Sequence, residues 1–148
     1  MSDPKQLLED LQRELQGEVI EDVFEVGGRN YTMRLLNEAE NSWVYSFLEL
    51  GSEVGMAMSI RLPQLAAGIR AIDGVSKEEL FEGSFVGMTD AQKMAILAGG
   101  NLKKSAFYNR QMLDFISNWK PAIVQDLSSK WAILEGRRVD AQNELKNS

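Results

Sequence analysis

Apolar positions in the last third of the chain recur at three- and four-residue steps. They run first through Leu102, Ala106, Met112, Phe115, Ile116 and Trp119, then through Ile123, Val124, Leu127, Trp131 and Leu134. Each set lays one apolar stripe along a helix. Pro121 divides them. It fits the first turn of the second helix, where its missing N–H costs nothing, and it pushes Lys120 out of helical geometry. The pattern predicts a helical hairpin over Leu102–Leu145 whose two stripes face a shared core.

At the other end, Asp3-Pro4 opens a short helix over 3–16: Asp3 can cap it, Pro4 suits its first turn, and Gln6 has capping-box spacing. Leu7, Leu8, Leu11 and Leu15 form a narrow stripe, and Gly17 is a natural stop. About four turns of isolated helix are marginal in water. The helix must therefore dock on its own domain or on a partner, and its four leucines are the candidate partner-binding residues. Over 19–35 the period changes to two. Phe24 and Val26 alternate with polar neighbours, Gly27-Gly28 intervenes, and Tyr31, Met33 and Leu35 alternate again. That predicts an antiparallel β-hairpin with Phe24, Tyr31 and Met33 on its buried face and Glu25, Thr32 and Arg34 outside.

Asn37-Glu38-Ala39-Glu40 has the form of a capping box opening a long helix, with Trp43, Phe47, Leu50, Val54 and Met58 along one side. Gly51 and Gly55 mark a close approach or a bend, and Pro63 ends or kinks the helix. Leu65 to Ile72 is a small apolar octet that fits a buried strand or a buried helix, its alanines leaning it towards helix. Asp73-Gly74 turns the chain. Ser76 with Glu79 then forms another capping box, and Val75 with Leu80 has the spacing of a hydrophobic staple. That helix is short, because Gly83, Ser84 and Gly87 interrupt it. Thr89 with Gln92 caps the next, which stops at Gly99-Gly100. Beyond Gly136 the run to Ser148 is mostly polar and is expected to fray. The sum is a mainly α (α+β) single domain over 1–148. It has an N-terminal helix at 3–16, a small N-terminal antiparallel β-hairpin at 19–35 and a helical body at 37–145.

Composition narrows the chemistry. A chain of 148 residues can bury one real core. Its net charge of −6 argues against nucleic acid, and an acidic surface is not drawn to anionic membranes. No apolar run approaches the roughly 20 residues of a membrane span. With no cysteine and no histidine there is no disulfide framework, Ser-His-Asp triad, thiolate nucleophile or ordinary zinc site. Carboxylate, Lys or Tyr chemistry, or oxygen-ligated Mg²⁺ or Ca²⁺, is what remains.

Each motif that could carry such chemistry has a plainer reading. Gly99 to Ser105 lacks the Gly-Lys-Ser core of a P-loop, and a helix precedes it. Gly27-Gly28 has no phosphate-binding helix after it. Glu38, Glu40, Glu78, Glu79 and Glu82 sit near helix starts, where they complement the macrodipole. They do not have the ligand spacing of a calcium loop. Lys103-Lys104 and Arg137-Arg138 are too few for a nucleic-acid stripe. Trp43, Trp119 and Trp131 lie on apolar stripes, as core indoles do. No catalytic residue, metal site or cofactor is assigned.

Three pieces carry a resemblance. Phe24-Glu25-Val26-Gly27-Gly28-Arg29-Asn30-Tyr31-Thr32-Met33-Arg34 resembles the opening of tail assembly chaperones from long-tailed bacteriophages. Leu65 to Gly74, ending in Ile-Asp-Gly, resembles their middle. Phe115 to Leu134, with Pro121, Val124, Leu127 and Trp131, resembles their final helices. The likeness spans Val23 to Gly136 and extends to small phage baseplate and hub proteins. It implies a largely helical fold with a β-hairpin and a non-catalytic role in viral tail assembly: binding the helical tape measure protein in the host cytoplasm and keeping it soluble. A structural component of the baseplate or hub, placed in the virion tail, is the alternative. A small carboxylate- or metal-dependent enzyme is the second alternative. Phage tail proteins are the implied partners, and self-association into a homo-oligomer stays open.

Overall fold

A computed structural model describes residues 3–15, 20–48, 53–85, 88–98 and 100–147. Helix α1 covers Pro4–Leu15, and strands β1 (Glu21–Val26) and β2 (Arg29–Arg34) follow as an antiparallel pair. Their two-residue turn places Gly27 at φ 58° and Gly28 at φ 81°. Two positive φ values in succession define the tight turn whose twist matches its strands, and glycine meets them without strain. The hairpin is therefore the one expected. Tyr31, Met33 and Val26 are buried, and Phe24 is half-buried against the same core.

Unforeseen is the extension of this hairpin. Strand β3 (Ile69–Ile72) pairs antiparallel with β2, and the two-residue strand β4 (Val75–Ser76) pairs with β3, giving the order β1-β2-β3-β4. The turn between β3 and β4 repeats the first, with Asp73 at φ 51° and Gly74 at φ 79°. Asp73 also joins the two turns. Its N–H donates to the Asn30 carbonyl (2.7 Å), while its carboxylate accepts from the Asn30 N–H (2.8 Å) and from Arg29 Nη1 (2.7 Å).

Several helical expectations are corrected. The long helix after Asn37 is two helices, α2 (Glu38–Tyr45) and α3 (Glu53–Gly68). Leu50 and Gly51 lie outside the described residues, as do the side chains of Val54 and Met58. Pro63 does not end the helix, the first of its two expected effects: it sits inside α3, which continues to Gly68. The octet Leu65–Ile72 is half helix and half strand, divided at Gly68. A Cβ on Gly68 would lie 2.2 Å from Cζ3 of Trp131, so the backbone there is pressed against an indole face. The helix stops at this glycine, where any side chain would collide with the indole.

The chain then runs through α4 (Lys77–Leu80), a 3-10 turn at Glu82–Phe85, α5 (Asp90–Ala98), α6 (Gly100–Ile116) and α7 (Pro121–Asn147). Gly17, Gly87 and Gly99, read as stops, lie outside the described residues. Thr89 and Gln92 complete a reciprocal box at α5, with bonds of 3.1 and 3.0 Å. At α4 Ser76 accepts from the Glu79 N–H (3.2 Å), but Val75 and Leu80 both stay exposed. The α6–α7 pair is not a hairpin packed along its length. Both helices pack against α3, and α7 also lies on β1. Their stripes do share one core, made by Met112, Ile116, Val124, Leu127, Trp131 and Leu134 with Met33, Leu65 and Ile69. Phe115 is off this core and exposed. Beyond Gly136, where fraying was expected, α7 continues to Asn147. Arg138 pairs with Glu135 within the helix (2.5 Å), and Arg137 Nη1 donates to Asp22 Oδ2 of β1 (2.7 Å). Within the run, Arg137, Asp140 and Asn143 are exposed.

Candidate functional site

Helix α1 is amphipathic, yet its own domain does not cover it. Leu7, Leu8 and Leu11 are 48%, 58% and 38% exposed, and none joins the core cluster. The side chain of Leu15 lies outside the described residues. Asp3 accepts from the Lys5 N–H (3.2 Å), while Gln6 donates to Asp10 (3.0 Å) instead of reaching back as a box would require. Of the two fates read from sequence, docking inward or docking on a partner, the inward one is not seen at the described leucines.

A second feature escapes sequence reasoning. The Asn37 side chain accepts from the Glu40 N–H (2.9 Å), and Glu40 Oε1 accepts from the Asn37 N–H (3.1 Å), which is the expected box. Glu40 is nonetheless buried, and it also binds two cations. Its Oε1 accepts from Arg34 Nη2 of β2 (3.3 Å), and its Oε2 accepts from Arg70 Nη2 of β3. One carboxylate therefore ties a helix start to two adjacent strands. Arg34, expected on the outer face, is drawn in by it. Burial holds the Arg70 guanidinium below its usual value, with Arg34 adding to the effect and Glu40 opposing it. Beside this node lies a pocket of about 180 Å³, bounded by Arg34, Arg70, Glu40, Trp43 and Asn109 with the small residues of α2 and α6. Glu40→Gln keeps the cap acceptor but removes the charge. We expect a loss of about 2 kcal/mol in urea denaturation, the scale of charged hydrogen bonds discounted for partly solvated guanidiniums. A loss under about 0.5 kcal/mol would mean that water already serves both arginines.

Lys77, the first residue of α4, is 2% exposed. Its ammonium donates to the carbonyls of Ala66 (2.8 Å) and Ala67 (3.2 Å) at the end of α3, and to Asn109 Oδ1 of α6 (2.7 Å). Three acceptors match three N–H bonds, and the first two are helix-terminal carbonyls with no partner inside their helix. Burial nevertheless pushes this lysine down to about 7, with Arg70 adding to the effect and Glu40 opposing it. Nothing in the sequence marks it. Its acceptors are two backbone carbonyls and an asparagine 32 residues away.

The remaining candidates take their plainer places. Glu38, Glu78, Glu79 and Glu82 are exposed, and among the described residues no group of three acidic, His or Cys side chains could hold a metal ion. Arg137 and Arg138 are paired, and Lys104 is exposed. Gly100 to Ser105 lie within α6, and the described element before them is the helix α5, not a strand. Trp131 is buried, while Trp43 and Trp119 are half-buried against the core. No helix among the described residues is long and apolar enough to cross a membrane. Comparison with protein families, with curated proteins and with solved structures finds no match for the chain.

Proposed function

We propose that the protein is a non-catalytic phage tail assembly chaperone that holds an amphipathic helical segment of the tape measure protein against α1. The observation that carries this reading is the uncovered stripe of Leu7, Leu8 and Leu11 on a regular helix. An amphipathic helix offers its apolar face to another helix through residues spaced as these are. The resemblance of Phe24–Arg34, Leu65–Gly74 and Phe115–Leu134 to such chaperones supplies the partner. A net charge of −6 limits association between neighbouring bound copies through like-charge repulsion.

The test is co-expression with the tape measure protein and size-exclusion chromatography of the soluble fraction. Co-elution is expected. Leu8→Ser with Leu11→Ser should weaken the complex roughly tenfold or more, since each buried leucine contributes about 1.5–3 kcal/mol. Helical content should be unchanged, because exposed positions tolerate such changes within about 0.5 kcal/mol. A tape measure protein that stays equally soluble alone and never co-elutes would sink this reading. Retention of the protein in purified virions would instead move it to the baseplate.

A further inference from the structure

We propose that the pocket between β2, β3, α2 and α6 is a binding site for a small oxyanion, a carboxylate or a phosphate, held by the guanidiniums of Arg34 and Arg70 and the side-chain amide of Asn109. The site stands apart from the leucine stripe, and its chemistry is of another kind.

Charge is the first argument. Arg34 and Arg70 share one carboxylate, Glu40, which accepts one hydrogen bond from each. A guanidinium carries five N–H donors in a planar fork suited to carboxylate or phosphate oxygens. Most of that capacity is left over, since each guanidinium gives only one hydrogen bond to Glu40. The Lys77 side chain stands behind Asn109 without lining the pocket. The other acid acting on these groups is Glu78, which is exposed and does not line the pocket. A cation-rich pocket in a chain of net charge −6 is a local arrangement, not a reflection of general basicity.

Asn109 provides the second argument. Asn109 is only 3% exposed, yet it lines the pocket. Lys77 can only donate, so the asparagine oxygen must turn towards it. The amide is thereby oriented, with its two N–H donors turned away from Lys77. A buried amide fixed by an ammonium is a rigid donor that needs no reorganisation when an anion arrives. Trp43 forms part of one wall, and about 180 Å³ admits a small ion and its residual hydration.

The experiment is an NMR titration of the ¹⁵N-labelled full chain with inorganic phosphate, and separately with acetate, at ionic strength held constant with chloride. Saturable shifts of the Asn109 side-chain amide and of the Arg34 and Arg70 Nε–H signals are expected with at least one of the two. The arm that saturates at lower concentration identifies the preferred oxyanion. Arg34→Gln should weaken binding at least tenfold. Because it also breaks a contact to Glu40, Ala39→Leu is the second variant: Ala39 lines the pocket, is exposed in the first turn of α2, and bears no polar group. Its larger side chain fills the mouth, leaves the cluster whole, and should also weaken binding tenfold. Unsaturable shifts spread over the surface, or wild-type affinity in Ala39→Leu, would overturn the proposal.

Discussion

Trp131→Ala is expected to destabilise the protein by about 3–5 kcal/mol, the range for deleting a large aromatic from a core. The indole is 5% exposed and belongs to the cluster joining α7 to α3, α6 and the sheet. It does more than fill space. Its ring lies against the Gly68 backbone, at the residue where helix gives way to strand. Gly68→Ala should therefore be costly for the opposite reason: a methyl group would stand 2.2 Å from the ring, and overpacking of this kind costs about 1–3 kcal/mol or more. Combining the two should cost less than their sum, because the smaller residue at 131 makes room for the methyl at 68. Guanidinium denaturation of the two single variants and the double variant measures this. A loss below about 1 kcal/mol for Trp131→Ala, or strict additivity, would show that the contact does not set the helix–strand boundary.

The second large effect is a stability profile. Lys77 has its ammonium lowered from 10.5 to about 7 by burial, assisted by Arg70. For a base whose folded value lies below its unfolded value, the unfolded chain holds the proton over the interval between them. Stability therefore rises with pH across that interval. From pH 7 to 9.5 the gain approaches about 3 kcal/mol at 1.36 kcal/mol per unit. That is an upper bound, since the carbonyls of Ala66 and Ala67 and the Asn109 oxygen favour the charged form. The cations Arg34 and Arg70 and the anions Glu40 and Glu78 act on the same ammonium. Above about 10 tyrosines enter, Tyr31 and Tyr108 both being raised by burial, so the window closes there. Urea denaturation at half-unit intervals should show the rise in the native protein and its loss in Lys77→Met. A flat native profile, or an equal rise in the variant, would remove Lys77 as its source.

How much of this was legible depends on whether the cause is local. Gly27-Gly28 between alternating residues is a local cause, and the hairpin follows with its face correctly assigned. Asn37 with Glu40 and Thr89 with Gln92 are local too, and both boxes form. The split of Leu65–Ile72 is set by Trp131, more than 60 residues on, so the alanines point the wrong way for half of the octet. Strand β3 is hidden for the same reason: four residues become a strand because β2 offers them an edge. In the pocket, only Glu40 had a sequence signal, and that signal accounts for its cap and not for its two arginines. Asn109 and Lys77 acquire meaning only through each other. The leucine stripe lies at the opposite extreme, since its spacing alone predicts an apolar face and nothing in the rest of the domain alters it.

The strand order leaves β1 and β4 as the two outer strands, and each is closed to a neighbouring molecule in a different way. Strand β4 is only two residues long, too short to template another chain. Strand β1 has six residues, and three of them, Glu21, Asp22 and Glu25, are acids. A hydrogen bond from Arg137 and another from the Val23 N–H hold the Asp22 carboxyl below the usual range, so its charge persists in mild acid. Two copies approaching edge to edge would bring these rows of carboxylates together. The sheet can thus expose a protein at high local concentration to many identical neighbours without recruiting them into a continuous cross-β array.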